Sequence, residues 1–357
     1  DILPNVPGPG VASLAKYTAL VPGTTLQFST SQQQNYISPF KSQDFAGASN
    51  AWAAATSRSA SGGTLLANDP HMSLTAPSIW YLARLNLRTG DVIGGTIPGM
   101  PLVLTGRSDK LGWGLTSAYV DDQDLFIEEI NQNNPLQYRT LHGFKEFEKS
   151  TSIIEIKDSD PITLTLRWTE NGPVLPGNFY NLETVTPPGH VAALSWTVLS
   201  SVDTSMQAAL QIMKAQTVAE AISASDSYIA PAQHLTLVDR GSIAMKTIGA
   251  IPRRDINHES KGRMPSLGWR PQNRWQGRMP YSSNPGFVAP SGGILGNTNN
   301  KTIERAFPNH VSFNWGDTQR IQRWKRLMQA REVHTRDSFI EAQLDTVSFT
   351  ARSLLPL

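Results

Sequence analysis

Four short segments of the chain hold side chains that could do chemistry. Ser49-Asn50-Ala51-Trp52 offers a hydroxyl nucleophile. Ala67-Asn68-Asp69-Pro70-His71 carries a histidine two residues after a carboxylate. Gly112-Trp113-Gly114-Leu115-Thr116-Ser117-Ala118 runs into Asp121-Asp122-Gln123-Asp124, whose oxygens suit a hard cation. Asn297-Thr298-Asn299-Asn300 offers neutral amide donors. Taken singly, each has a plainer reading. A serine between small residues commonly opens a turn, Asn-Asp-Pro is turn chemistry, a Trp-Gly pair packs and turns, and an acidic run is usually a solvated face. No G-x-S-x-G, H-E-x-x-H or P-loop pattern is present, and the seven histidines offer no motif for a separate Ser-His-Asp triad.

Composition narrows the classes. With no cysteine, disulfides, thiolate metal sites and cysteine nucleophiles are excluded. The 31 basic and 29 acidic residues nearly cancel, to a net charge of +2, so nothing points to nucleic acid. No run of about 18 apolar residues predicts a membrane-spanning helix. The 357 residues suffice for one large domain or two ordinary ones.

The elements that must position these groups follow from patterning. Residues 1–48 carry four charges (Asp1, Lys16, Lys41, Asp44), Pro-Gly turns and a Ser/Gln-rich patch. They read as a linker or pro-segment, or equally as an ordinary N-terminal extension. From Ser49 onward the chain is strand-rich, with β-type runs at 64–67, 79–82, 125–127, 152–156, 162–168 and 234–238. The run 162–168 alternates apolar and polar residues, as a half-buried strand should. Helical spacing covers 204–226 and 318–344, with His334-Thr335-Arg336-Asp337 as a helix start. Strands first, with helices between and after, predict a layered α+β domain. The apolar end at 353–357 predicts a domain continuing past Leu357.

In their joint order, Ser49-Asn50-x-Trp52, Asn68-x-Pro70-His71, Trp113-Gly114 with its acidic cluster, and Asn299-Asn300 resemble the penicillin acylase family of N-terminal-nucleophile hydrolases. The resemblance covers Ser49 to Leu357. It implies a four-layer αββα core, here incomplete at the C-terminus, with 49–357 as the first part of the family's β chain and 1–48 as a spacer or the end of its α chain. It also implies a precursor that cuts itself before Ser49, leaving the serine as nucleophile with its own α-amine as base. That amine titrates at about 8, so it is partly neutral where a lysine is not.

By the same resemblance His71 orients the serine, and the Ser117 backbone N–H and the Asn299 side chain hold the oxyanion. Arg320 is a site-supporting arginine, or else one more surface cation beside Arg323, Lys325 and Arg326. Asp121, Gln123 and Asp124 match a structural calcium loop in part, since the segments near Gly262 and His310 lack clear ligands. Met72, Leu104, Thr105 and Trp196 are pocket candidates; Leu104 and Trp196 read equally as core residues. The implied activity is amide hydrolysis of an N-acylated small molecule, a β-lactam or an N-acyl homoserine lactone, in the periplasm or outside the cell. The implied partners are an α chain and the rest of the β chain, with no nucleic acid and no membrane. Because 48 residues precede Ser49, the alternative is an unprocessed or truncated member acting as a precursor or binding protein.

Overall fold

The computed structural model describes residues 48–72, 75–303, 310–316 and 318–355. The segment 1–47, read above as a linker or pro-segment, lies outside the described residues; Ala48 is already the first residue of a strand. The described residues form two compact units: Asp121–Ser200 with Pro252–Arg278, and 48–120 with Ser201–Ile251 and 279–355.

In chain order the second unit supplies β1 (Ala48–Ala54), β2 (Leu65–His71), β3 (Tyr81–Leu87), β4 (Gly90–Thr96), β5 (Thr105–Arg107) and β6 (Gly112–Ser117). The first unit then contributes β7 (Gln123–Glu129), β8 (Gln137–Thr140), β9 (Gly143–Glu146), β10 (Glu148–Ile156), β11 (Ser159–Thr169), β12 (Gly172–Leu175) and β13 (His190–Trp196). Back in the second unit come α1 (Ser205–Lys214), α2 (Val218–Ala224), β14 (Gln233–Val238) and β15 (Ile243–Ile248). After the short β16 (Ser266–Leu267) of the first unit, the chain ends on β17 (Gly286–Val288), β18 (Ile294–Asn297), α3 (Gln319–Gln329), α4 (Arg336–Gln343) and α5 (Phe349–Leu354).

The second unit holds two sheets. One is three-stranded, β18-β1-β2; the other is seven-stranded, β17-β15-β14-β6-β5-β4-β3. β1 is antiparallel to both neighbours, with Ser49 opposite Pro70, Asn50 opposite Asp69, and Ala51 opposite Asn297 and Asn68. Alternation then sorts its side chains. Trp52 and Ala54 pack with Met328 of α3 and Phe339 of α4, the Trp52 and Phe339 rings lying 5.9 Å apart. Ala53, on the other face, packs with Val238, Ile243 and Met245 of the seven-stranded sheet. That sheet's far side carries α1 and α2, through Ile212, Met213, Val218 and Ala221 against Trp113, Leu235 and Leu237. The small residues of β1 let the two sheets approach, and buried β14 and β15 read as near-continuous apolar and β-branched runs.

Both predicted helical stretches split into two helices. Ala215 takes an extended conformation and ends α1; Thr217 then caps α2 by accepting the Glu220 N–H. The second stretch breaks before Thr335, which forms a capping box with Ser338 and starts α4 as its sequence predicts. The alternating run at 162–168 forms β11 but is not half-buried. β12 pairs only with its last two residues, and Ile162, Leu164 and Leu166 stay exposed. In the first unit a six-stranded sheet, β10-β11-β12-β13-β7-β16, packs Ile127, Ala192 and Leu267 together, and β8-β9 form a hairpin.

Burial also creates an acid-sensitive core. His234 of β14 is fully enclosed, and the loss of hydration lowers its pKa to about 4. Burial lowers His258 and His334 as well. Between pH 6.5 and 4 the unfolded chain binds the His234 proton and the folded chain does not. Stability is therefore fully present above 6.5 and is lost as the pH falls towards 4. Urea unfolding at pH 7 and pH 4.5 is expected to lose roughly 2–3 kcal/mol on this residue's account, and a His234→Gln variant is expected to show a shallower dependence.

Candidate functional site

All five residues assigned catalytic roles by the sequence lie in the second unit. Ser49 sits in β1, 5% exposed. Its Oγ accepts hydrogen bonds from Asn299 Nδ2 at 3.0 Å and from the Ser117 backbone N–H at 3.4 Å. Its own N–H donates to Asn299 Oδ1 at 2.7 Å. The two expected oxyanion donors thus meet at the expected nucleophile, although Asn299 is 250 residues from Ser49.

Asn299 is held from several sides. Its backbone N–H donates to Asn297 Oδ1, its Nδ2 also donates to the Ser117 carbonyl, and its Oδ1 accepts from Arg320 Nη2 at 2.9 Å. The backbone is left-handed there, with φ at 63°, and the Gly316 N–H clasps its carbonyl at 2.9 Å. Arg320, on the first turn of α3, donates from Nη1 to the Ser49 carbonyl at 3.1 Å and to Asn50 Oδ1 at 2.8 Å. Its side chain therefore serves the serine backbone rather than the helix surface.

His71 lies opposite Ala48 in the ladder, two residues from Asp69 on β2. Its Nε2 is 3.3 Å from Asp69 Oδ2 and 3.2 Å from Asn50 Nδ2. Asn50 joins Arg320 to the His71–Asp69 pair, donating to Asp69 at 3.3 Å. Sequence reasoning gave Asn50 and Asp69 no role. The signal was their register: side chains at 50, 69 and 71 share the β1–β2 face opposite to that of Ser49. A cavity of about 430 Å³ opens on this side, lined by Asn50, Asp69, His71, Arg320, Trp324 and Phe349.

Asn68 was also missed. Its Nδ2 donates to the carbonyls of Asn50 at 2.7 Å and Leu115 at 3.0 Å. Its Oδ1 accepts from the Leu115 N–H at 3.1 Å and Thr105 Oγ1 at 2.6 Å. One amide thus fastens the serine strand to the strand ending in Ser117. Gly114 makes this possible, because a Cβ there would stand 2.8 Å from Asn68 Cβ.

The pocket candidates separate. Thr105 spends its hydroxyl on Asn68 and also borders a cavity of about 940 Å³, with Trp80, Leu82 and Ile93. Leu104 packs against the core beneath α1 and α2. Met72 is exposed just past β2, and Trp196 ends β13 in the first unit. The proposed calcium loop also lies in the first unit, where Arg254 donates to the Asp121 and Gln123 carbonyls and to the Asp124 carboxylate.

The penicillin amidase family matches residues 10–357. The chain belongs to the penicillin amidase family. Among its relatives, an acyl-homoserine lactone acylase QuiP of Pseudomonas fluorescens is 30% identical over 346 residues, spanning 94% of this chain and 40% of that protein. A penicillin acylase 2 proenzyme of a Pseudomonas species is 26% identical over 85% of this chain and 38% of its own length. The chain thus spans about two fifths of these relatives. The solved thermostable penicillin G acylase from Alcaligenes faecalis, at 22% identity, shares the fold with a TM-score of 0.72, over 82% of this chain and 51% of that one.

The Asn68 fastening gives a testable consequence. Gly114→Ala is expected to displace Asn68 and lower stability by about 1–3 kcal/mol in urea unfolding, whereas Gly99→Ala, where φ is positive but the space is open, is expected to cost about 1 kcal/mol from backbone strain alone.

Proposed function

We propose that this chain carries the nucleophile and oxyanion donors of an amide hydrolase that frees its own serine by self-cleavage. The observation that supports this most is the convergence of Asn299 Nδ2 and the Ser117 N–H on Ser49 Oγ. In the first step Ser49 Oγ attacks the Ala48 carbonyl carbon, the C–N bond breaks, and the nitrogen takes a proton to become the α-amine of Ser49. Water then hydrolyses the resulting ester, leaving a carboxylate on Ala48.

The freed amine would be Ser49's base. The nitrogen already donates one hydrogen to Asn299 Oδ1, which fixes its direction. Arg320 donates to that same Oδ1 and to the Ser49 carbonyl, and its positive charge disfavours an ammonium beside it, keeping the amine available as an acceptor. The same guanidinium polarises the Asn299 amide and strengthens Nδ2 as a donor. On a substrate, Oγ attacks the acyl-amide carbon and the oxyanion forms beside the two N–H donors. The amine passes the proton to the leaving nitrogen, and water hydrolyses the acyl-enzyme to a carboxylic acid.

This reading takes the stacked helices and sheets of the second unit as an αββα core that further chain completes. It takes a small N-acylated molecule as substrate, with N-acyl homoserine lactones and N-acylated β-lactams as the candidate classes, in a periplasmic or secreted setting.

Intact mass and N-terminal sequencing of folded protein test it. A chain beginning at Ser49 is expected from the unaltered sequence, and only full-length chain from Ser49→Ala. Wild-type protein that stays uncut, or a Ser49→Ala variant that still hydrolyses N-acyl amides, would sink the nucleophile assignment. Asn299→Ala is expected to lower kcat about 100- to 1,000-fold with a smaller effect on KM.

A further inference from the structure

The loop Asp121–Asp124 of the first unit ends in a buried carboxylate that has a built-in cation. Arg254 and Asp124 side chains are 3% and 2% exposed. Arg254 Nε donates to Asp124 Oδ2 at 2.8 Å, and its Nη2 donates to the carbonyls of Asp121 at 2.8 Å and Gln123 at 3.3 Å. The guanidinium therefore spends its donors on three oxygens of one loop, one from each residue that the family resemblance assigns to calcium. Trp275 Nε1 adds a further hydrogen bond to Asp124 Oδ2 and its ring lies beside the guanidinium, 5.8 Å from Arg254 Cζ to the centroid.

The surroundings are shaped for this side chain. Arg253 is tied to the segment at 276–277 by its N–H to the Gly277 carbonyl at 2.9 Å and its carbonyl to the Gln276 N–H at 2.8 Å. Gly262, at a φ of 90°, leaves the space that a Cβ would fill 2.8 Å from both Arg254 Nη2 and Asp124 Oδ1. Calcium binds oxygens at about 2.3–2.6 Å and prefers six to eight of them. A dication on the Gln123 carbonyl and the Asp124 carboxylate would sit against the guanidinium, two positive centres in contact. Among the described residues no cluster of three or more histidine or carboxylate side chains is arranged to hold a metal. The residues present do not fit calcium while Arg254 is in place.

We propose that Arg254 takes the place of a metal in this loop, so that the first unit holds its Asp121–Asp124 segment without calcium. A monovalent, non-exchangeable cation supplied from 130 residues away would neutralise Asp124 and gather the loop carbonyls whatever the calcium concentration outside. The inference stands on the first unit alone and is independent of the amide hydrolase reading.

Thermal melting in EGTA and in millimolar calcium chloride, with elemental analysis of dialysed full-length protein, tests it. The wild type is expected to hold no stoichiometric calcium and to melt at the same temperature in both. Arg254→Ala is expected to melt several degrees lower in EGTA and to recover part of the loss as calcium chloride is added. Arg254→Lys, which keeps the charge but not the fork of donors, is expected to fall between the two. Calcium retained at one ion per wild-type chain, a wild-type melt lowered by EGTA, or an Arg254→Ala variant as stable as wild type in EGTA would overturn the proposal. The wild-type measurements decide it even if neither variant folds.

Discussion

One side-chain amide carries the site. Asn299 Oδ1 accepts from the Ser49 N–H and from Arg320, while its Nδ2 donates to Ser49 Oγ and to the Ser117 carbonyl. A carboxylate in that place could not donate, and a lysine could not accept. An asparagine can couple the serine's nitrogen, its oxygen, the neighbouring strand and a cation at once. Holding the amide there requires the left-handed backbone at Asn299, a conformation asparagine tolerates better than most residues. Replacing it by alanine removes both the hydrogen bonds and part of the backbone's tolerance for that turn.

The strand bearing the serine works on two faces. Ser49, Ala51 and Ala53 look towards the seven-stranded sheet, and Asn50, Trp52 and Ala54 towards α3 and α4. The odd positions bring Ser49 to the Ser117 N–H, and on the other face Asn50 joins the Asp69–His71–Arg320 polar cluster. A single-residue slip of β1 against β2 would exchange these faces. Asn68 opposes such a slip, because its amide bonds to both β1 and β6. Fixing the strand's register and aligning the serine with its donors are thus one structural task.

The sequence made the site's members legible, because the serine, histidine and asparagine motifs are local strings whose order is readable. Four of the six β-type runs lie within strands, those at 64–67 and 79–82 overlap the starts of β2 and β3, and Thr335 caps a helix as its spacing suggests. What stayed hidden depends on register or on distant pairing. Asn50 and Asp69 look like ordinary polar neighbours until β1 and β2 are aligned. Asn68 reads as turn chemistry, yet it is a strand residue whose amide lies over Gly114. Arg254 is one arginine among many, 130 residues from the carboxylate it serves. The exposure of β11 was equally out of reach, since alternation fixes which residues share a face but not whether anything covers it.

The bond between Ala48 and Ser49 lies within a paired strand, not in a loop: Ala48 faces His71 in the ladder, and Ser49 is buried. A second protein molecule would have to pull β1 out of the sheet to reach that bond, whereas Ser49's own hydroxyl is already beside it. The self-cleavage proposed above would then be unimolecular: its rate would follow first-order kinetics, unchanged by dilution, with a clock that starts when β1 enters the sheet.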